Sequence, residues 1–516
     1  MPLKKLTLKA GVNRENTRYT NENGWYESDK VRFRQGTPEK IGGWTRLSAN
    51  FFLGVCRSLW NWITLGGSNL LGVGTNLKFY IEQGGSYNDI TPLRASGVIN
   101  TDPFAGNGTT TVTVTDTAHG GATGDFVVFS GATGTYAATF NAEFQITVLS
   151  VDTYTILTTV AIAAGSYGGS AVNAAYQIGI GAADSSPIIG WGAGGWGLGP
   201  WGTGTTSATP IRLWQQQNFG ENLVFGYRGG PLYYWDNLTG LGSRGVLVSS
   251  LAGATDVPII QNYLLVSDAS RFVFCFGAND YGSATQNPML LRWSDQESVT
   301  DWTPAATNQA GSLLLSHGSK IVTALQTRQE ILVYTDSSLY SLQYLGAPAV
   351  WGSQLLGDNI SIVGPNAAAV ASGIAYWMGV DKFYKYDGRV QTLRCDLLTN
   401  EGFNEVWFFY CSASASEVDR YVVYNYTENN GEGAWYYGAL ARSAWLDSGL
   451  RSNPMAATYI NNIVYHELGV DDNATEVPLP IYSLISSAEF DIDDGDHFGF
   501  VWRILPDITF RGSNVA

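Results

Sequence analysis

The sequence contains four histidines, the side chains best suited to proton transfer near neutral pH. They are His119, His317, His466 and His497, and long intervals of sequence separate them. No HExxH, GxSxG or Walker A pattern accompanies them, which removes the commonest signatures of zinc hydrolysis, serine hydrolysis and nucleotide binding. We expect loosely packed or solvent-exposed histidines, and the sequence indicates no enzyme and no cofactor.

An acidic run near the end of the sequence has the oxygen density that calcium sites use. It contains Asp491, Asp493, Asp494 and Asp496. The spacing of an EF-hand and its closing Glu are missing, so an acidic turn is the favoured interpretation over a calcium site.

Cysteine spacing and hydropathy indicate where the chain is made. Cys56, Cys275, Cys395 and Cys411 lie far apart and form no CxxC pair, so we expect neither a zinc site nor a disulfide framework. The opening residues lack the apolar core of a secretory signal, and no window reaches 18 uninterrupted apolar residues. Synthesis in a reducing cytoplasm, without an export signal or membrane insertion, is expected.

The net charge of -15 is unevenly distributed. Residues 1–46 carry ten Lys or Arg against five acids, whereas residues 95–211 have no Lys or Arg and six acids. Residues 401–516 hold seventeen acids and five Arg. Proteins that grip DNA through its phosphates normally show a clustered basic face, so the distribution argues against tight, sequence-specific DNA binding.

Degenerate repeats are the most informative feature of the sequence. Each unit has an apolar strand, a Gly or Asn turn, a second apolar strand and an aromatic third strand, and the units begin at Ser58, Ile211, Val257, Lys320 and Ala369. The aromatic strands are expected to end at Tyr80, Trp235, Tyr344 and Tyr386. Such repeats are typical of propeller blades. The sequence therefore predicts an all-β protein, a β-propeller of about five to seven blades.

Other segments interrupt or follow the repeats. Residues 98–175 alternate short Thr/Val strands with Gly turns, which predicts a small inserted β-domain, with an enlarged blade as the alternative. Residues 1–97 would form an N-terminal arm and the first blade or blades, and residues 176–400 the main blades. Residues 401–516 would form an acidic C-terminal β region that either completes the propeller or makes a separate platform domain.

Three tryptophans lie five residues apart in a glycine-rich segment without strand or helix periodicity: Trp191, Trp196 and Trp201. Large aromatics in a loop need a surface to bury against. A neighbouring subunit or partner, packing within the chain, and base stacking are the alternatives.

Two acids beside tryptophans could indicate sugar chemistry. Trp293-Ser294-Asp295 with Asp301-Trp302 resembles the Asp-box turn of sialidase propellers, although the central Gly is missing. A glycosidase needs two carboxylates flanking the sugar, and the sequence nominates no such pair.

The segment Asn21–Leu47 resembles the N-terminus of the tail hub or nozzle proteins of short-tailed bacteriophages, often labelled packaged-DNA stabilisation proteins. The matching elements are Gly24-Trp25, the basic strand Lys30–Arg34, and Gly42-Gly43-Trp44. Leu290–Pro304 and the segments EILVYTDSSLYSLQY and VGPNAAAVASGIAYWMGVDKFYKYDG resemble the same family's propeller core. The resemblance covers about two thirds of the chain and omits the predicted insert.

The resemblance implies a structural protein of the virion tail. It would form a homo-oligomeric ring, expected to be a hexamer, below the portal and the head-to-tail adaptor protein. The ring would retain packaged double-stranded DNA, conduct it non-specifically during ejection, and dock tail fibres or spikes.

Two sets of charges could serve such a ring. An acidic wall does not hold phosphates by counterion release, so Asp491, Asp493, Asp494 and Asp496 are candidates to face the channel, with a solvated loop as the alternative. Arg32 and Arg34 alternate with Val31 and Phe33, so this strand could dock its cationic face on an acidic adaptor. Ordinary exposed strand charges are the alternative.

Two other classes of protein stay open. A tail appendage that binds or hydrolyses carbohydrate would bind glycans without forming a ring. A propeller scaffold unrelated to phages would be revealed by its neighbouring genes.

Overall fold

A computed structural model describes residues 6–14, 17–179, 213–380, 382–393, 399–400, 403–412, 415, 417–447 and 449–490, and positions 503, 505 and 509. These residues form almost entirely antiparallel β-structure. Their helical elements are short: the α-helix Ala137–Phe140 and the 3-10 turns Asn237–Thr239, Val248–Ser250 and Asn429–Gly431. The predicted all-β fold class is confirmed.

The described residues form eleven sheets, and seven of them, numbered here sheets 1 to 7, build one framework. Six are four-stranded antiparallel meanders. Sheet 1 contains Cys56–Ile63, Asn69–Thr75, Phe79–Gln83 and Ser86–Asp89. Sheet 2 contains Trp214–Phe219, Asn222–Tyr227, Leu232–Trp235 and Val246–Leu247. Sheet 3 contains Tyr263–Val266, Val273–Phe276, Leu290–Trp293 and Gly311–Leu314.

The later sheets continue the pattern. Sheet 4 contains Ile321–Gln326, Ile331–Thr335, Ser338–Gly346 and Val350–Asp358. Sheet 5 contains Ala368–Ala371, Ile374–Met378, Phe383–Tyr386 and Val390–Leu393. Sheet 6 contains Thr399–Asn400, Glu405–Tyr410, Arg420–Asn425 and Ala434–Ala439. Sheet 7 has six strands in the order Ala444–Leu446, Met455–Ala457, Ile463–His466, Trp44–Arg46, Asp471–Asn473 and Leu479–Pro480.

Hydrophobic clusters pack each described sheet against the next. Trp62 of sheet 1 packs with Trp214 of sheet 2, and further clusters join sheets 2 to 3, 3 to 4, 4 to 5 and 6, and 6 to 7. The circle is completed because Met455 and Ile463 of sheet 7 pack on Leu59 of sheet 1. Antiparallel sheets that pack face to face in a closed circle are the arrangement of a β-propeller.

The circle is closed by a strand from the N-terminal part of the chain. Trp44 pairs with His466 in an antiparallel ladder and with Asp472 in a parallel one, so sheet 7 draws on both ends of the sequence. Gly43 permits this approach, because a Cβ there would lie 2.5 Å from the backbone oxygen of Asp471. The hairpin Val31–Arg34 and Thr37–Lys40 precedes this strand, and Trp25–Asp29 pairs with Leu484–Ser487.

A separate unit is inserted between sheets 1 and 2, and we call it the insert. It has two sheets around its own core, in which Phe104 stacks on Phe140 at 4.0 Å between ring centroids. Its strands are Leu93–Val98, Phe104–Gly106, Thr111–Thr115, Phe126–Ser130, Glu143–Gln145, Thr147–Val148, Thr153–Leu157, Gly165–Tyr167 and Asn173–Gln177. The first and last of these strands pair with each other and form its neck.

Candidate functional site

Most of the predicted site residues lie outside the described residues. These are the acids Asp491, Asp493, Asp494 and Asp496 and the tryptophans Trp191, Trp196 and Trp201. Channel lining by the acids and subunit contact by the tryptophans therefore stay predictions.

Arg32 does not present its charge to a docking partner, which corrects that part of the prediction. Its side chain is 1% exposed, and its Nε lies 3.1 Å from Oε1 of the buried Glu405. Its Nη2 forms a second ion pair with Glu467, and its guanidinium stacks 3.7 Å from the Phe403 ring centroid. Charged and apolar residues do alternate along this strand, but the Arg32 side chain faces the carboxylates of Glu405 and Glu467 and not solvent. Arg34 is exposed, and its docking role stays a prediction.

Glu405 is the centre of this buried network, which we call the clasp network. Trp407 Nε1 donates a hydrogen bond of 2.9 Å to Glu405 Oε2, and the Tyr436 hydroxyl donates to Glu405 Oε1. Burial raises the pKa of Glu405, and the Arg32 guanidinium opposes this shift. Burial alone would lower the pKa of Arg32, but Glu405 and Glu467 together hold it above its ordinary value. The network thus keeps Arg32 of the N-terminal hairpin charged and buried against sheet 6.

Glu467 connects the clasp network to the closing strand. Its Oε2 accepts a hydrogen bond of 2.9 Å from the backbone N–H of Gly42, two residues before Trp44. A Cβ at position 42 would lie 2.6 Å from the Glu467 Cα, so glycine is needed there. The two glycines of the Gly42-Gly43-Trp44 element therefore have a direct steric function.

His466 lies beside this network and is buried at 2% exposure, contrary to the expectation of a loosely packed or exposed histidine. Arg442 Nε donates a hydrogen bond of 2.9 Å to His466 Nε2, so that nitrogen acts as an acceptor in the neutral ring. The imidazole centroid lies 4.6 Å from the Trp445 ring and 5.5 Å from the Trp44 ring. Burial, Arg442 and Arg32 lower the pKa of His466 well below its ordinary value. Burial also lowers the pKa of Arg442 to about 10.

A second charged cluster fixes the insert to the propeller, and we call it the junction cluster. Lys78 Nζ lies 2.9 Å from Asp89 Oδ2, and both residues belong to the propeller. The same Lys78 Nζ lies 2.5 Å from Glu143 Oε2 of the insert. Arg244 lies 3.5 Å from Asp89, and Gln177 donates a hydrogen bond to Glu143. Burial would raise the pKa of Asp89, but Lys78 and Arg244 hold it below its ordinary value. Ion pairs and a hydrogen bond of this cluster therefore join the insert to the propeller.

The acids beside tryptophans in sheet 3 have structural partners. Asp295 Oδ1 accepts a hydrogen bond of 2.8 Å from the Gln309 backbone N–H. Asp301 accepts hydrogen bonds from Thr255 Oγ1 at 2.8 Å and Asn308 Nδ2 at 2.9 Å. Both carboxylates thus hold turns of the outer part of the sheet.

A metal-ligand cluster and a membrane-spanning helix are both absent from the described ranges. In these ranges no three His, Cys, Asp or Glu side chains converge as a metal site would require. No described helix is long and apolar enough to span a bilayer.

Cys56 is a buried thiol of sheet 1. Burial raises the pKa of the Cys56 thiol to about 12.

The sequence carried a weak signal for the two charged clusters. Glu405 begins the apolar strand EVWFFY, and Lys78 stands between apolar residues in LKFYI. A lone charge within an otherwise apolar strand indicates a buried partner, because an unpaired buried charge is costly. Local sequence does not identify that partner.

The sequence matches no family model and no curated protein. Among solved structures, the chain is similar to BBS1N in its complex with ARL6DN, at 9% identity and a TM-score of 0.27, over 78% of this chain and 97% of that one. It is also similar to the phage phi92 endosialidase, at 12% identity and a TM-score of 0.20, over 97% of this chain and 87% of that one. At these TM-scores neither structure bears on the fold or function of this chain, whose propeller is defined by its own sheets.

Proposed function

We propose that this chain is a structural, non-enzymatic subunit of a bacteriophage tail hub or nozzle. Copies of it, expected to number six, would surround the channel that retains packaged double-stranded DNA and conducts it during ejection. The observation that carries the proposal is the position of the segment resembling the family's N-terminus. Its Gly42-Gly43-Trp44 element closes the propeller, and its Arg32 is buried in the clasp network.

The other segments that resemble the family support the same proposal, because they coincide with successive elements of the propeller. Leu290–Trp293 is the third strand of sheet 3, and Ile331–Thr335 and Ser338–Gly346 are the middle strands of sheet 4. Ile374–Met378 lies in sheet 5. The resemblance thus falls on the framework, whereas the insert is an addition to it.

Within this proposal, different surfaces serve different partners. The exposed Arg34 would contribute to contact with the adaptor protein, and the insert or the propeller rim would accept a tail fibre or spike. Asp491, Asp493, Asp494 and Asp496 would face the channel. Reversing the charge of these four acids is expected to slow DNA ejection, because added cations would hold phosphates.

Native mass spectrometry and electron microscopy of the purified full-length chain test the assembly. The proposal predicts closed rings with a central opening. A protein that stays monomeric at every concentration, and that binds glycans in that state, would contradict it and favour a carbohydrate-binding appendage.

A further inference from the structure

A recess of about 870 Å³ lies between the insert and the propeller, away from the clasp network. The insert contributes Arg94, the loop 120–125 and Phe126 to its wall, and the propeller contributes Asn76, Tyr227 and Tyr233. Its volume falls within the range of small-molecule sites. Such sites also occur preferentially where two structural units meet.

The junction cluster holds the two walls of this recess in place. Lys78, which pairs with Glu143 of the insert, also lies 4.7 Å from the centroid of the Phe126 ring on the recess wall. A recess whose walls are fixed in this way loses little freedom when a ligand binds, which favours affinity.

Two side chains of opposite charge supply polar groups. Arg94 donates from Nη2 to the backbone oxygen of His119 at 3.0 Å, and its guanidinium lies 5.2 Å from the centroid of the Tyr176 ring. Asp125 Oδ2 accepts a hydrogen bond of 2.9 Å from Ala122. Arg94 therefore retains donors, and Asp125 retains an acceptor, for a ligand. Because their formal charges cancel, the recess gives no advantage to a ligand with a net charge.

The loop 120–125 adds backbone donors to this wall. Gly120 has φ +60° and Gly124 has φ +99°, conformations that favour glycine. A Cβ at Gly120 would lie 2.9 Å from Arg94 Nη1, so the glycine lets the guanidinium lie against the loop. In the described part of the chain, the N–H groups of Gly120 and Thr123 have no hydrogen-bond acceptor.

The propeller wall supplies an aromatic surface. Tyr227 is half-buried, and its ring packs on Trp214 at 5.8 Å and Tyr233 at 6.3 Å between centroids. These contacts fix the orientation of the ring beside the recess. An immobilised aromatic ring provides an apolar face.

We propose that this recess binds a short neutral oligosaccharide. The apolar face of a sugar ring would lie on Tyr227, and its hydroxyls would bond to Arg94, Asp125 and the backbone of the loop. A sugar needs both donors and acceptors beside an apolar surface, and this recess combines them without a net charge. The inference goes beyond the hub role and does not rest on it.

Calorimetric titration of the full-length chain with maltotriose, cellotriose and chitotriose tests the inference, with trigalacturonic acid as the acidic comparison. At least one neutral trisaccharide is expected to bind. Arg94→Gln and Asp125→Asn, two changes at exposed or half-buried positions, should each weaken that binding about tenfold. The matched control is Arg271→Gln, because Arg271 forms an exposed ion pair with Glu297 far along the chain from the recess.

Three results would overturn the inference. They are the absence of binding by all the neutral sugars, binding of the acidic sugar alone, and neutral-sugar binding that neither recess variant weakens. Circular dichroism of each variant verifies that it is folded before titration.

Discussion

Arg32 and Glu405 form a buried ion pair, with 3.1 Å between Nε and Oε1, although one lies near the N-terminus and the other in sheet 6. This pair, with Glu467, ties the N-terminal hairpin to two sheets of the propeller. Removing one partner of such a pair leaves a buried charge without compensation.

Arg32→Met is therefore expected to lower the free energy of unfolding by about 3–5 kcal/mol. Urea unfolding followed by tryptophan fluorescence measures the change. Adding Glu405→Gln to this variant should recover part of the loss, because the unpaired carboxylate is then absent.

Arg34→Met is the matched control for this pair, since Arg34 belongs to the same strand but is exposed. It should change the free energy of unfolding by less than about 0.5 kcal/mol. Equal effects of the two arginine variants would show that the clasp network does not hold the hairpin.

His466 makes stability depend on pH. Its pKa in the folded chain lies well below the ordinary value of 6.5, so the unfolded chain binds a proton that the folded chain does not. Stability from this group is present above pH 6.5 and falls as the pH drops below it, by up to about 1.4 kcal/mol per pH unit. His466→Gln should reduce the slope of unfolding free energy between pH 6.5 and pH 5. An unchanged slope in this variant would contradict the assignment.

Asp89 should make the stability of the junction between the insert and the propeller depend on pH in the acid range. Its pKa is held below the ordinary 3.8 by Lys78 and Arg244 against the effect of burial, so its stabilising contribution is present above that value and lost as the pH falls through the folded pKa. Asp89→Asn should therefore destabilise the chain at neutral pH and have a smaller effect in strong acid. Thermal unfolding over a pH series measures both effects, and a pH-independent difference would be the contrary result.

Glu143 provides a test of the junction from the side of the insert. Glu143→Gln removes the charge that faces Lys78 and should increase hydrogen exchange in the neck strands Leu93–Val98 and Asn173–Gln177. The strands of sheet 5 should exchange as before. Glu297→Gln, at an exposed ion pair, is the control and should leave the neck unchanged.

A substitution at Thr45 tests whether the strand Trp44–Arg46 closes the propeller. Thr45 pairs with Tyr465 on one side and Asn473 on the other, so Thr45→Pro removes a backbone donor from the interior of sheet 7 and should lower the denaturant concentration at which the chain unfolds. Thr45→Val keeps the backbone donor and is the control. If the two variants unfold at the same denaturant concentration, the closing strand contributes little.

Local periodicity was enough to predict strands, turns and the propeller class. Trp235 and Tyr386 end third strands as expected, whereas Tyr80 and Tyr344 lie inside Phe79–Gln83 and Ser338–Gly346. The aromatic residues therefore mark the end of a strand only approximately, because pairing with the neighbouring strand continues beyond them.

Long-range partners could not be predicted in this way. The alternation of Arg32 with apolar neighbours indicated a cationic face, but its carboxylate partners are Glu405 in sheet 6 and Glu467, directly after a strand of sheet 7. The Gly42-Gly43-Trp44 element was visible in the sequence, but its parallel and antiparallel partners follow more than 400 residues later. An alternating pattern specifies which side chains share one face of a strand, but it does not specify which other strand or side chain that face contacts.

Cryo-electron microscopy of tails from virions that contain this chain tests the central claim most directly. The account predicts a closed ring of propellers on the tail axis, surrounding the DNA channel, with the insert projecting from each subunit. Density for this chain only in fibres away from the axis, or its absence from the virion, would contradict the account.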